Sequence, residues 1–165
     1  MRVIGLDPGS RFTGYGIVEK SDGRLLHIAS GRINATKGAD FSDRLEILYR
    51  GLMQILERYP CQHAAVESVF TAKNAMSTIK LGHARGVVLL AVRHHDLDVD
   101  EYAPARVKLS VAGHGRAAKE DVQMMVKRLL GIRGELSSDA ADALAVAICH
   151  SQTLDVARRL EPATP

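Results

Sequence analysis

A chain of 165 residues, 46% apolar and 25% charged with a net charge of +3, is sized and composed for one soluble domain with a real hydrophobic core. That excludes a disordered chain and leaves no room for a second catalytic lobe. Its longest wholly aliphatic run, Val87 to Val92, is too short to span a bilayer, and the chain opens on a strand-like segment, so a cytoplasmic protein without a membrane anchor is expected.

Arg2 to Asp7 reads as a buried strand, and Pro8, Gly9 and Ser10 end it with turn chemistry. Gly14 to Lys20 and Arg24 to Asn34 are β-compatible, joined by Asp22-Gly23, a strong hairpin signal. From Asp40 to Tyr59, apolar residues recur at helical spacing, with Asp40 or Ser42 as N-cap and Pro60 as the stop. His63 to Glu67 is a short apolar run ending in a charge, as expected of a central strand. Asn74 to His94 predicts a long helix carrying Gly82 and Gly86 on one stripe. Asp98 to Ala103 predicts a fifth strand, and Pro104 opens a helix reaching about Ala112. After a loop containing Gly113, His114, Gly115 and Arg116, helices are predicted from Ala118 to Leu130 and from Ser138 to about Gln152. The sum is an α/β fold of ribonuclease H-like layout, a mixed five-stranded sheet with helices on both faces. Residues 1–155 are expected to form one domain, followed by a mobile tail over 156–165.

The carboxylates fall at informative places. Asp7 and Glu67 each terminate a buried strand, and parallel neighbours would bring both to one edge of the sheet. Asp139 and Asp142 are three apart on a helix and share one face of its first turn. Four carboxylates packed together repel one another and lose hydration unless cations neutralise them. An oxygen-only set favours Mg²⁺ or Mn²⁺ over zinc. Each residue also has a plainer reading: Asp7 could start the Pro8-Gly9 turn, and Asp139 and Asp142 could serve the helix N-terminus as cap or dipole partners. Glu67, directly after Ala64, Ala65 and Val66, has no turn signal to explain it.

These segments carry a resemblance. Gly5 to Ser10 followed by Thr13-Gly14-Tyr15-Gly16, then Ala65-Val66-Glu67 with Phe70, then Gly113-His114-Gly115 and Lys119, and finally Ser137 to Ala143 resemble the RuvC family of Holliday-junction resolvases. The match spans almost the whole chain in order and spacing. It implies a homodimer that binds a four-way DNA junction and nicks two strands symmetrically. It makes Asp7, Glu67, Asp139 and Asp142 the catalytic, metal-binding quartet, Asp139 being its most variable position. It also implies a branch-migration motor of the RuvA and RuvB type as partner. Two Mg²⁺ ions per site, with Mn²⁺ as a substitute, would hydrolyse the phosphodiester and leave 5′-phosphate and 3′-hydroxyl ends.

A polyanionic substrate needs cations from the protein as well. Between Arg106 and Arg133 the chain carries seven Lys or Arg against Glu120 and Asp121, while the remainder is net negative. Lys108 and Lys119 are the candidates for the scissile phosphate, with solvated helix lysine as the competing reading. Gly113, Gly115 and Arg116 could lie against a DNA backbone or only connect two helices. Phe70 could stack on a base near the crossover or be buried in the core. The seven histidines form no metal-ligand pattern. His83, His94 and His95 suit interface or capping roles, and His114 a phosphate or proton-transfer contact. The Asn74 to His94 helix is the candidate dimer interface. Cys61 and Cys149 lack metal-ligand spacing and read as small buried apolar residues. Two other functions remain open: a non-catalytic branched-DNA-binding module of this fold, or a related nuclease with another nucleic-acid substrate. An actin-like phosphate loop at Asp7 to Ser10 would need a second lobe.

Overall fold

The computed structural model describes residues 1–68 and 74–160. Its elements run β1 (Arg2–Asp7), β2 (Phe12–Ser21), β3 (Arg24–Asn34), α1 (Phe41–Arg58), β4 (His63–Glu67), α2 (Ala75–Arg93), β5 (Val99–Tyr102), α3 (Pro104–Ala112), α4 (Lys119–Leu130) and α5 (Ser138–Leu160). Every predicted element is present. The Asp22-Gly23 turn has positive φ at both residues, 49° and 76°, which twists the β2–β3 hairpin the way a two-residue loop requires. Asp40 caps α1 by accepting from the Asp43 N–H, and Asn74 caps α2 by accepting from that of Ser77.

The strands form one sheet in the order β3-β2-β1-β4-β5. The hairpin strands pair antiparallel, and β4 lies parallel between β1 and β5. Both faces of the central strands are covered, which explains their near-continuous apolar sequences. Ile4, Leu6, Ala64 and Val66 pack with Leu48 and Leu52 of α1 and Ala84 and Val88 of α2. Val3, Val18 and Ala65 face the other way, onto Val107 of α3, Val122 and Val126 of α4, and Leu144 and Ile148 of α5.

Two boundaries differ from expectation. β2 begins at Phe12 rather than Gly14, and α5 continues beyond Gln152 to Leu160. The apolar periodicity of α5 fades there, but Leu154 still packs on the core and Asp155 pairs with Lys20 of β2. Among the described residues α2 is the one helix long and apolar enough, by length and composition, to cross a membrane. It packs on the sheet and α1 through Ala84, Val88, Ala91 and Val92, leaving Met76, Ile79 and Leu90 exposed.

α5 lies against the sheet with almost no spacing. A Cβ on Gly5 would stand 2.1 Å from the carbonyl oxygen of Ala143, and one on Gly14 would stand 2.1 Å from that of Asp139. These bare positions let the alanine-rich face of α5 settle onto β1 and β2, which fixes where its first turn ends up.

Candidate active site

Asp7 and Glu67 end the parallel neighbours β1 and β4, whose register pairs Leu6 with Val66, so the two carboxylates follow side by side at one edge. Asp7 pairs across β2 with Gly14, the residue on which the backbone of Asp139 rests. That contact draws the first turn of α5, with Asp139 and Asp142, over the end of β1. The N-terminus of α5 is capped by Ser137, whose hydroxyl accepts from the Ala140 N–H at 3.3 Å, so capping does not account for either aspartate. The Pro8-Gly9 turn is tied by Thr13, whose Oγ1 donates to the Gly9 carbonyl at 3.1 Å.

The four carboxylates act on one another electrostatically. Burial raises the pKa of Asp7 to about 7, and the charges of Asp142, Glu67 and Asp139 push it the same way, opposed by Lys119. Glu67 is also raised, first by burial and then by Asp142, with Lys108 and Lys119 acting against it. Two of the protein's own cations pair with these carboxylates directly. Lys119 Nζ lies 2.7 Å from Asp142 Oδ2, a bond that raises the lysine pKa and keeps it charged. Arg32 Nη1 is 3.6 Å from Asp139 Oδ2, its guanidinium 4.5 Å from the Phe12 ring centroid. Among the described residues no three His, Cys, Asp or Glu side chains stand as a ready-made ion cage. The donor set nevertheless fits a hard divalent cation: it is all oxygen, carries excess negative charge, and includes an acid that burial and its neighbours keep from ionising freely.

A cleft of about 230 Å³ joins two of these carboxylates to the predicted lysines, lined by Glu67, Asp142, Lys108 and Lys119 over Val107 and Val122. The glycine loop is a helix connection: Gly113 closes α3 in the left-handed conformation, φ 83°, and Gly115 passes close to Ala105. His114 and Arg116 are exposed. Phe70 lies outside the described residues. His94 caps α2 and its Nδ1 is 2.5 Å from the Tyr49 hydroxyl, while His83 packs edge-on against Phe41. Both cysteines are free, Cys149 buried and Cys61 held up to a pKa of about 12 by burial.

Two arginines escaped the sequence reading. Arg32 reaches Asp139 because it stands beside Gly14 in the sheet register. Arg85 of α2 donates from Nη1 to the carbonyl of Glu67 at 2.8 Å. Neither belongs to a basic cluster, so only the strand register and helix placement reveal them.

A mixed sheet in this order, helices on both faces and acidic residues gathered at the ends of its central strands define a ribonuclease H-like nuclease. The model of the family described as "Crossover junction endodeoxyribonuclease RuvC" matches residues 3–150. A crossover junction endodeoxyribonuclease RuvC of Syntrophotalea carbinolica is 50% identical over 151 residues, covering 92% of this chain and 94% of that relative. The corresponding protein of Pelobacter propionicus is 46% identical over 165 residues, covering all of this chain and 94% of that one. Among solved structures, Thermus thermophilus RuvC in complex with Holliday junction substrate superposes with a TM-score of 0.87 at 31% identity, over 95% of this chain and 96% of that one. The chain belongs to the RuvC family of crossover junction endodeoxyribonucleases, enzymes that use divalent metal ions.

Proposed function

We propose that this chain resolves four-way DNA junctions as a homodimer, each protomer nicking one of two opposed strands with Mg²⁺ as its working metal, two ions per site, and Mn²⁺ as a substitute. One observation supports the reading above others: carboxylates from three separate segments converge around Asp7, and two of them, Glu67 and Asp142, line a cleft with Lys108 and Lys119. Asp7, Glu67, Asp139 and Asp142 would hold the cations. When bound, they supply Lewis-acid charge for in-line hydrolysis of a phosphodiester, leaving 5′-phosphate and 3′-hydroxyl ends.

The rest of the work falls to the chain itself. Lys119, held on Asp142 and kept protonated there, is a fixed cation at the mouth of the cleft, able to pass from carboxylate to phosphate as DNA enters. Lys108 on α3 approaches the same cleft from another side. Gly113, Gly115 and Arg116 extend the DNA contact along the backbone, Arg116 with an exposed charge. Phe70 is assigned to stacking at the crossover, by its place in the family motif. Dimerisation is assigned to α2, whose exposed Ile79 and Leu90 flank Gly82 and Gly86, two positions where an added Cβ would meet nothing within 4 Å. A motor of the RuvA and RuvB type is the expected partner.

The test is cleavage of a synthetic four-way junction against linear duplex of the same sequence, with Mg²⁺, Mn²⁺ or chelator. The junction is cut only with metal, and the duplex is spared. Binding without cutting under every metal would leave a non-catalytic junction-binding module. Sedimentation checks the rest: a strict monomer at micromolar concentration, alone and on DNA, removes the paired-nick mechanism.

A further inference from the structure

Glu67 is the last residue of β4, and the direction of its carboxylate depends on how the peptide that follows it is held. Both polar groups of that peptide are engaged. The Ser68 N–H donates to the Tyr102 carbonyl of β5 at 2.8 Å, and the Glu67 carbonyl accepts from Arg85 Nη1 at 2.8 Å. The second guanidinium nitrogen, Nη2, lies 2.7 Å from Glu101 Oε1. Glu101 in turn pairs with Val66 in the β4–β5 register. One side chain thus ties α2 to the ends of two strands.

The exposures of the pair are unequal. The Arg85 side chain is 16% exposed and that of Glu101 52%, so the guanidinium is largely covered while its carboxylate partner is open to solvent. An arginine placed only for a surface ion pair has no need of a main-chain acceptor. The guanidinium bonds the carbonyl through Nη1, while Nη2 stands at ion-pair distance from the carboxylate without a hydrogen bond to it; its planar group presents the Nη1 donor at a fixed angle, which a lysine ammonium does not.

We propose that Arg85 is a positioning residue for Glu67: by holding the carbonyl of that residue from α2, it aims the Glu67 carboxylate into the acidic cleft. This rests on the reading of Glu67 as a metal ligand. Partners that orient a ligand without touching the ion commonly govern its affinity about as strongly as a weak ligand does, about 10- to 100-fold.

The experiment measures Mn²⁺ binding to the metal-free protein by calorimetry or by loss of the free-ion EPR signal, without DNA. Arg85→Met lowers Mn²⁺ affinity about 10-fold or more. Its kcat on a saturating junction falls in parallel, and junction affinity in chelator stays within about two-fold, because Arg85 meets only the main chain of Glu67 and does not itself line the DNA-facing cleft. Raising the metal concentration restores cutting by Arg85→Met and not by Glu67→Gln. Glu101→Gln, which leaves the bond to the Glu67 carbonyl, costs only about two- to three-fold. If Arg85→Met melts too low to assay, Arg85→Lys carries the test, with the charge kept and the planar group lost, and binds Mn²⁺ measurably more weakly than wild type.

Wild-type Mn²⁺ affinity in both Arg85 variants, alongside its loss in Glu67→Gln, overturns the proposal and leaves the site reading intact. Unchanged affinity in Glu67→Gln itself sinks the ligand reading of Glu67, and the positioning role falls with it.

Discussion

Helix α5 bears on two titratable groups at different ends of the sheet, Asp7 of β1 and its own His150, and they are handled in opposite ways. At its first turn Asp139 and Asp142 press charge onto Asp7, and ionising Asp7 there is costly, its pKa raised to about 7. Further along, His150 is 1% exposed, its Nδ1 bonded to the Tyr102 hydroxyl at 2.8 Å and its pKa lowered by burial. Burial discourages the charged form in both cases. The histidine can simply stay neutral. Asp7 is set among three other carboxylates, whose charge only cations offset. A buried group that is content when neutral is packing, whereas a group left in electrostatic conflict marks the place where a ligand is due.

The strongest way to sharpen this contrast is to remove the conflict. Asp7→Asn is expected to lower junction cutting by about three orders of magnitude while junction binding persists, since on the proposed function it deletes a metal ligand and leaves the basic surface. The same change should stabilise the metal-free protein. The folded-state pKa of Asp7 lies above its unfolded value, so the folded chain holds the proton more tightly, and native stability is lost as pH rises from about 4 to about 7. At pH 8 the metal-free Asn variant should therefore gain about 2 to 4 kcal/mol over wild type, a ceiling set by the shift and reduced by any solvent at the site. Added Mg²⁺ should narrow that gap by stabilising only the wild type. Urea melts with and without chelator measure both terms, and a wild type as stable as the variant at pH 8 in chelator would remove the conflict from the account.

A smaller effect tests the close contact that assembles the site. A methyl group at Gly14 meets backbone, the Asp139 carbonyl at 2.1 Å, so Gly14→Ala must push α5 off β2 and cost about 1 to 3 kcal/mol. Gly134→Ala, with nothing within 4 Å of the added group and no positive φ to strain, should be neutral or slightly stabilising. Gly14→Ala should also cut poorly under conditions where it remains folded, because Asp139 moves with the helix. Equal melting points for the two variants would show that α5 tolerates lifting.

What the sequence could disclose follows from the kind of information each feature needs. Elements were legible because their signals are local: period-2 and period-3.6 apolar patterns, the Asp22-Gly23 turn, and a cap at Asp40. Asp7 and Glu67 could be placed at strand ends by the same local reading. Their meeting with Asp139 and Asp142 depends on Gly5 and Gly14 as contact points for α5, and nothing in the glycine spacing says which helix will lie there. Arg32 and Arg85 were illegible for a related reason. Each acts across an element boundary set by tertiary packing, on a partner more than a dozen residues away. The end of α5 was placed too early because an apolar stripe was required where an ion pair to Lys20 and one packed leucine suffice.

The smallest effect belongs to the histidine end. The Nε2 of His150 has no hydrogen-bond partner among the described residues, and Asp100 Oδ2, 60% exposed, stands 3.9 Å away, too far to bond. His63 packs beside it, ring centroids 5.5 Å apart, with its own pKa lowered by burial and by Arg158. Both rings are therefore neutral in the fold at pH values where an unfolded histidine begins to charge. With folded pKa values below about 6.5, the unfolded chain binds protons first as pH falls, so stability declines below about pH 6.5 until the folded-state values are reached. His150→Phe should flatten that decline in melts between pH 7 and 5, at the expense of the Tyr102 bond, so its stability at pH 7 should fall by about 1 kcal/mol. This window overlaps the one in which Asp7 acts, with opposite sign: acid relieves the carboxylates while it loads the histidines. In chelator the Asp7→Asn background removes the larger of the two trends, and the histidine slope should then be visible alone. A flat profile between pH 7 and 5 in that background would mean that the pocket admits the charged ring, with Asp100 swinging in to meet it.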